Sequence, residues 1–177
     1  TVESGDGFGA ALAAGDMDMD GYDELAIGAP YETPDGTSHY EAGEVQVIFS
    51  DSGGVDLTTA VTIRQSYTSS PEPYDRFGAA LAIGDVDGYG DGELAVGVPQ
   101  QDVSGKTSAG TVELFYGAGV WSWTGYTQGD VGGSIEDYDF FGWSLLMADL
   151  NNDGYDELVA GSPFDNFGGH TDPGWVS

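Results

Sequence analysis

The sequence predicts an all-β protein made of blades of four antiparallel strands, the repeating unit of a β-propeller. Three observations lead there. First, a block of 23 residues recurs three times without gaps: FGAALAAGDMDMDGYDELAIGAP from Phe8, FGAALAIGDVDGYGDGELAVGVP from Phe77 and FGWSLLMADLNNDGYDELVAGSP from Phe141. Second, each block joins two short apolar stretches through an acidic, glycine-containing loop, a strand–turn–strand pattern. Third, 30 glycines and 7 prolines in 177 residues describe a turn-rich chain, which suits β structure better than helices. The Phe-to-Phe spacings of 69 and 64 residues suit one small multi-stranded unit stacked beside its neighbours. The chain therefore reads as one segment, 1–177, with repeats at approximately 1–69, 70–133 and 134–177, the last one truncated.

Each strand of the blade has its own signal. Phe8, Ala10 and Leu12 alternate with Gly9, Ala11 and Ala13, and the pattern repeats from Phe77 and Phe141, which is the period of a strand. Small residues on one face imply close approach of another backbone, as in an innermost strand. The second strand follows the acidic loop at Leu25-Ala26-Ile27, Leu94-Ala95-Val96 and Leu158-Val159-Ala160, and a Gly-x-Pro turn ends it. The third reads Gly43–Phe49 and Gly110–Tyr116. The fourth is fainter, near 61–64 and near Trp121-Ser122-Trp123. The chain reaches Ser177 where a third strand of the last unit begins. Because propellers close with 4–8 blades, the expectation is a fragment of a larger propeller, completed by the remaining blades of a parent chain, or an open stack closed by a second copy.

Composition excludes several function classes. Three basic residues, Arg64, Arg76 and Lys106, stand against 31 acidic ones, for a net charge of −28. A nucleic-acid binder needs clustered Lys and Arg to neutralise phosphates, and an anionic membrane surface repels such a chain. No apolar run approaches the roughly 18 residues of a membrane span. The absence of cysteine removes disulfides, zinc–thiolate sites and thiol nucleophiles. The acid excess matches either adaptation to high salt or a face for a cationic partner; molar salt strengthens the first and weakens the second.

The acidic loops carry the chemistry. Asp16, Asp18 and Asp20 stand at positions 1, 3 and 5, Gly21 at 6, Tyr22 at 7 and Glu24 at 9. Carboxylates at that spacing, with the backbone carbonyl of position 7, converge on a hard cation, and calcium takes 6–8 oxygens at about 2.3–2.6 Å. Magnesium, which demands an octahedron and keeps its waters, is disfavoured. The third loop repeats the pattern with Asp149, Asn151, Asp153, Tyr155 and Glu157, and its neutral Asn151 predicts weaker binding. The middle loop keeps Asp85, Asp87 and Glu93 but has Tyr89 at position 5, with Asp91 displaced to position 7 as a substitute. An EF-hand is excluded: position 12 is Ile27 or Ala160, and both flanks are strand-like. The alternative is a set of solvated Asp/Gly turns.

Phe-Gly at the start, the D-x-[DN]-x-[DN]-G-x-x-[DE] loop and Gly28-Ala29-Pro30 together resemble FG-GAP repeats, the units of the integrin α-subunit β-propeller that occur also in secreted bacterial and archaeal proteins. The resemblance covers nearly the whole chain. It implies a seven-bladed propeller with calcium in the loop joining a blade's first two strands. The ligands it implies are Asp16, Asp18, Asp20 and Glu24; Asp149, Asn151, Asp153 and Glu157; and Asp85, Asp87 and Glu93. It departs at position 9, which is Glu rather than Asp, and at Gly-Val-Pro and Gly-Ser-Pro in the later copies.

No nucleophile elbow, phosphate-cradling glycine loop with Lys, or singled-out carboxylate pair appears, so the segment is expected not to be an enzyme. His39 and His170 read as surface loop residues. Trp121, Trp123 and Tyr126, with Tyr138 and Phe140 soon after, form either outer-strand packing or a stacking platform for a glycan or protein. The loops 31–42 and 100–109 are candidate binding surfaces, and the resemblance to integrins implies that partners engage the face away from calcium. The resulting expectation is an extracellular calcium-binding adhesion or ligand-binding module, with calcium in a structural role. Alternatives are a glycan-binding accessory domain of a secreted hydrolase and a surface-layer repeat.

Overall fold

The computed structural model describes residues 4–34, 38–65, 69–117, 122–166 and 173–177. The first blade runs β1 (Ala11–Gly15), β2 (Glu24–Ala29) and β3 (Glu44–Ile48). A small hairpin of β4 (Ser50–Asp51) and β5 (Gly54–Val55) follows, and β6 (Val61–Ile63) completes the sheet in the order β1-β2-β3-β6. The second blade is β7 (Ala80–Gly84), β8 (Glu93–Val98), β9 (Thr111–Tyr116) and β10 (Ser122–Tyr126), again paired sequentially. The third has β11 (Ser144–Ala148), β12 (Glu157–Ser162) and β13 (Trp175–Val176). All these pairings are antiparallel, so the predicted all-β class is observed, with four strands in each of the first two blades and three described in the third.

Register is the same in every copy. Gly15 pairs with Glu24, Gly84 with Glu93 and Ala148 with Glu157, so each acidic loop is clamped at both ends by one strand pair. The β4–β5 hairpin has no counterpart in the sequence reading. Its local cause is Asp51, whose Oδ1 accepts the Gly53 N–H at 2.6 Å in the turn.

The innermost strands begin three residues later than the alternation from Phe8 suggests. Phe-Gly forms a turn instead, with Gly9, Gly78 and Gly142 at φ of 86°, 87° and 83°, a left-handed conformation that favours glycine. The small-residue face does meet the next blade. β1 lies against β7, and β7 against β11. A Cβ at Gly15 would lie 2.5 Å from Ile83 Cγ2, and one at Gly84 would lie 2.8 Å from Met147 Cβ.

The closest approach lies one step outward. The Phe77 N–H donates to the Ala42 carbonyl at 2.8 Å, and the Phe141 N–H to Ala109 at 2.9 Å. This draws the Phe-Gly turn of one blade onto the previous blade's third strand. The Gly78 and Gly142 carbonyls then press on Gly28 and Gly97, where an added Cβ would lie 2.1 Å from each oxygen. Phe77 is fully buried between the first two blades, edge-on to Phe115 with ring centroids 6.1 Å apart, and Phe141 is buried in the cluster between the second and third. Phe8 occupies the same position with no preceding blade among the described residues, and it is 59% exposed. Burying an aromatic ring of this kind contributes about 1.5–3 kcal/mol, so the motif Phe stabilises only where a blade stands on both sides.

Polar side chains cross the same junction. Gln65, at the end of the first blade's outer strand, is buried and donates through Nε2 to Gln101 Oε1 of the second blade. Asp75 and Asp139, each two residues ahead of the motif Phe, are buried. They accept the backbone N–H groups of Glu72 (2.6 Å) and Glu136 (2.7 Å) and so fix the lead-in turn.

Replacing Gly97 with Ala is expected to lower stability by about 1–3 kcal/mol, because the new methyl meets the Gly142 backbone rather than a side chain that can rotate. Urea denaturation measures it, and an unchanged midpoint would contradict the backbone seating.

Candidate metal centre

The three acidic loops lie at the same end of the blades, between the first and second strands of each sheet. In the first, Asp16 Oδ2 accepts the Gly21 N–H at 3.0 Å, Asp18 Oδ1 accepts Asp20 N–H at 3.1 Å, and Asp20 Oδ1 accepts Tyr22 N–H at 2.9 Å. Glu24 is fully buried and is aimed by two donors, Met17 N–H at 2.8 Å and Ser50 N–H at 3.3 Å. The result is a carboxylate triad, Asp16, Asp18 and Glu24, with oxygens within 4.8 Å of one another.

The middle loop builds the same triad from Asp85, Asp87 and Glu93, again within 4.8 Å, although Tyr89 occupies position 5. Asp85 accepts Gly88 N–H at 2.6 Å and Gly90 N–H at 3.0 Å, and Glu93 accepts Val86 N–H at 2.9 Å. Asp91 is not part of that triad, nor is Asp20 of the first. In the third loop Asp149 accepts Gly154 and Asp153 N–H groups at 3.0 and 3.1 Å, and Asp153 accepts Tyr155 N–H at 3.0 Å. Glu157 accepts Leu150 N–H at 2.8 Å and the Asn151 side-chain amide at 2.7 Å. Tyr22 and Tyr155 carry exposed rings at the loop surface.

Electrostatics make these loops incomplete as they stand. Asp16 Oδ1 is buried and accepts no hydrogen bond among the described residues. The three basic side chains pair elsewhere: Arg64 with Glu44 at 3.1 Å, Arg76 with Glu41 at 3.6 Å and Lys106 with Asp137 at 3.3 Å. Carboxylates this close repel unless a cation or proton intervenes. Burial accordingly pushes Glu93 up to about 7, with Asp87, Asp91 and Asp85 adding to the rise and the Val86 N–H opposing it. Glu24 is raised mainly by burial too. An all-oxygen donor set with an orphaned carboxylate oxygen suits a hard divalent cation.

Neighbouring loops are tied together. Gly92 N–H donates to the Asp16 carbonyl at 2.7 Å, and Asp156 N–H to the Asp85 carbonyl at 2.8 Å. Asp156 Oδ2 also accepts Asp85 N–H at 3.0 Å. Position 8 of one loop thus holds position 1 of the loop before it.

The FG-GAP repeat model matches residues 8–48, 77–115 and 141–176, about two thirds of the chain and in phase with the three blades. The chain belongs to the FG-GAP repeat family. Its β-propeller fold follows from that membership and from the antiparallel sheets. Phosphatidylinositol-glycan-specific phospholipase D of Homo sapiens is 33% identical over 172 residues, covering 92% of this chain and 19% of the relative. Integrin alpha-5 of Xenopus laevis is 33% identical over 162 residues, 88% of this chain and 14% of the relative. Integrin alpha-PS2 of Drosophila melanogaster is 39% identical over 118 residues, 64% of this chain and 8% of the relative. The chain thus spans less than a fifth of the length of these relatives.

The other expected site residues separate. Trp123 and Tyr126 lie on the outer strand β10, whereas Tyr138 and Phe140 join Trp143 and Phe164 in an aromatic group with centroid spacings of 5.5–6.3 Å. The single cluster read from sequence is therefore two, because β10 and the lead-in to the third blade diverge. Trp121 and His170 lie outside the described residues; His39 is half-buried. The sequence reading passed over Asp6, Asp75 and Asp139, although their constant offset of two residues before the motif Phe is a repeat signal.

Burial raises Asp75 to about 7 as well. With folded values above the unfolded ones of 3.8 and 4.5, Asp75 and Glu93 bind more protons in the folded state between about pH 4 and 7. Their stabilising effect is therefore full at the acid end and lost as pH rises through 7. In chelator, stability is expected to fall between pH 5 and pH 7.5, and Glu93→Gln should flatten this by on the order of 2 kcal/mol. Urea titrations at both pH values test it; parallel curves for the variant and the parent would refute it.

Proposed function

We propose that this chain is a calcium-stabilised binding module of an extracellular protein, in which the metal serves the fold and catalyses nothing. The observation that carries this reading is the pair of carboxylate triads, Asp16/Asp18/Glu24 and Asp85/Asp87/Glu93, whose charge no Lys or Arg neutralises among the described residues. Asp20, Asp153 and Asn151 complete the outer part of the sites, with the carbonyls of Tyr22 and Tyr155. Asp149 and Glu157 hold the third. Asp91 approaches the middle ion once the triad's repulsion is relieved. Calcium supplies positive charge and a high coordination number to oxygens already aimed by backbone donors. Because each loop closes a strand pair and touches the next loop, filling one site restrains the neighbouring hairpin.

Relatives named as integrin α subunits support an adhesion role. Those named phosphatidylinositol-glycan-specific phospholipase D support a second reading, a propeller accompanying a secreted hydrolase, with its chemistry outside this segment. Under both readings the module works outside the cell, with a protein or glycan as the partner of the loops opposite the calcium sites.

A ligand that binds only the folded state stabilises it by about 2.7 kcal/mol at a hundredfold excess over Kd. Calorimetric titration of chelator-stripped protein with calcium is expected to give two or three sites per chain, with the melting temperature rising as they fill. An identical melting curve in EDTA and in calcium would sink this reading.

A further inference from the structure

At the end of the blades opposite the acidic loops, the lead-in turns and the loops between second and third strands enclose two adjoining hollows of about 510 and 640 Å³. They are the same feature in successive blades. The first is bounded by Tyr31, Thr33, Tyr40 and Glu41, the second by Gln100, Asp102, Thr107 and Ser108, and Tyr74 and Arg76 belong to both. The concave surface is therefore continuous across the first two blades.

The shared residues stand in a left-handed turn that every blade repeats, Tyr138 and Phe140 of the third blade having φ of 68° and 54°. Tyr74 and Arg76 have φ of 74° and 62°, a left-handed conformation that disfavours a bulky side chain. The first blade puts Gly5 and Gly7 at the same offsets from its motif Phe, with φ of 111° and 69°. Glycine thus satisfies this turn, and a tyrosine there is held against its preference. Core packing is not the reason, since Tyr74 is 52% exposed. Its N–H donates to the Tyr40 carbonyl at 2.7 Å, so the two residues stand side by side, and Tyr40 is 62% exposed. Strained positions bearing exposed aromatic side chains point to binding.

Chemistry narrows the ligand. Exposed tyrosine faces suit the C–H faces of pyranose rings, and the surrounding carboxylates, amide and hydroxyls exchange hydrogen bonds with sugar hydroxyls. Glu41, Glu72 and Asp102, within a chain of net charge −28, repel an anionic polymer. A cationic peptide meets a position already filled, because the Arg76 guanidinium lies 4.9 Å above the Tyr31 ring and 3.6 Å from Glu41. Arg76 Nε–H finds no acceptor among the described residues, which leaves this side chain a donor to satisfy. Two connected hollows accommodate several linked units better than one. We infer that the paired hollows around Tyr74 form a binding groove for a neutral oligosaccharide. This rests on reading the chain as a binding module and names the ligand class of its loop face.

The test is calorimetry of the calcium-loaded protein against cellohexaose, maltohexaose, mannohexaose and chitohexaose, with hexa-arginine as competitor. One hexasaccharide is expected to bind, with Tyr40→Ala and Tyr74→Gly each weakening it at least about tenfold. Tyr74→Gly restores the residue the turn prefers, so its melting temperature should equal or exceed the parent's, separating lost binding from lost folding. No binding by any of the four sugars, equal affinity of the Tyr74→Gly variant, or tighter binding of hexa-arginine in the groove would overturn the proposal. Calcium dependence of melting, followed in the same samples, reports on the module reading independently.

Discussion

The whole stack depends on one backbone-on-backbone contact, the seating of each Phe-Gly turn on the glycines of the blade before it. Gly28 and Gly97 leave room for the carbonyls of Gly78 and Gly142, and Gly43 and Gly110 leave room for those of Phe77 and Phe141. No side chain can substitute at such distances, because a methyl would overlap a peptide oxygen. Once seated, the turn buries its Phe between sheets, aligns the innermost strands side by side, and brings the acidic loops of successive blades into hydrogen-bond reach. Blade spacing, core and loop stacking are consequences of that contact.

The two ends of the blades divide two tasks. At one end, backbone donors bring carboxylates together with no protein cation beside them among the described residues, a repulsion that a bound cation would relieve. At the other, buried Asp75 and Asp139 and the Gln65–Gln101 hydrogen bond anchor the lead-in turns, and the residues between those anchors face outward. A rigid frame with variable outward positions is how loop-borne binding surfaces are generally built. The −28 charge acts on both ends, favouring cation uptake at the first and disfavouring anionic ligands at the second.

Much of this was legible in residue order. The apolar stretch after the acidic loop, Leu25-Ala26-Ile27, lies inside the observed Glu24–Ala29, Gly110–Tyr116 matches Thr111–Tyr116 to within one residue, and the repeated D-x-[DN]-x-[DN]-G spacing located the loops. Chain order did not reveal that Phe8-Gly9-Ala10 turns before the strand starts, since a left-handed glycine looks the same as a strand glycine in one dimension. Nor did it separate Trp123 from Tyr138, because neighbours in sequence part at a blade junction.

What the sequence alone determined is local and periodic: blade type, phase of the three repeats, loop positions and the absence of competing cations. Alternation, turn residues and charge are properties of short windows, and repetition multiplies their signal. What only the tertiary structure decided is which groups meet across blades. It put Asp85 with Glu93 but left Asp91 outside, tied Gly92 to Asp16, buried Phe77 while exposing Phe8, and joined two hollows through Tyr74. Those relations depend on distances between residues far apart in the chain, which packing fixes and spacing does not.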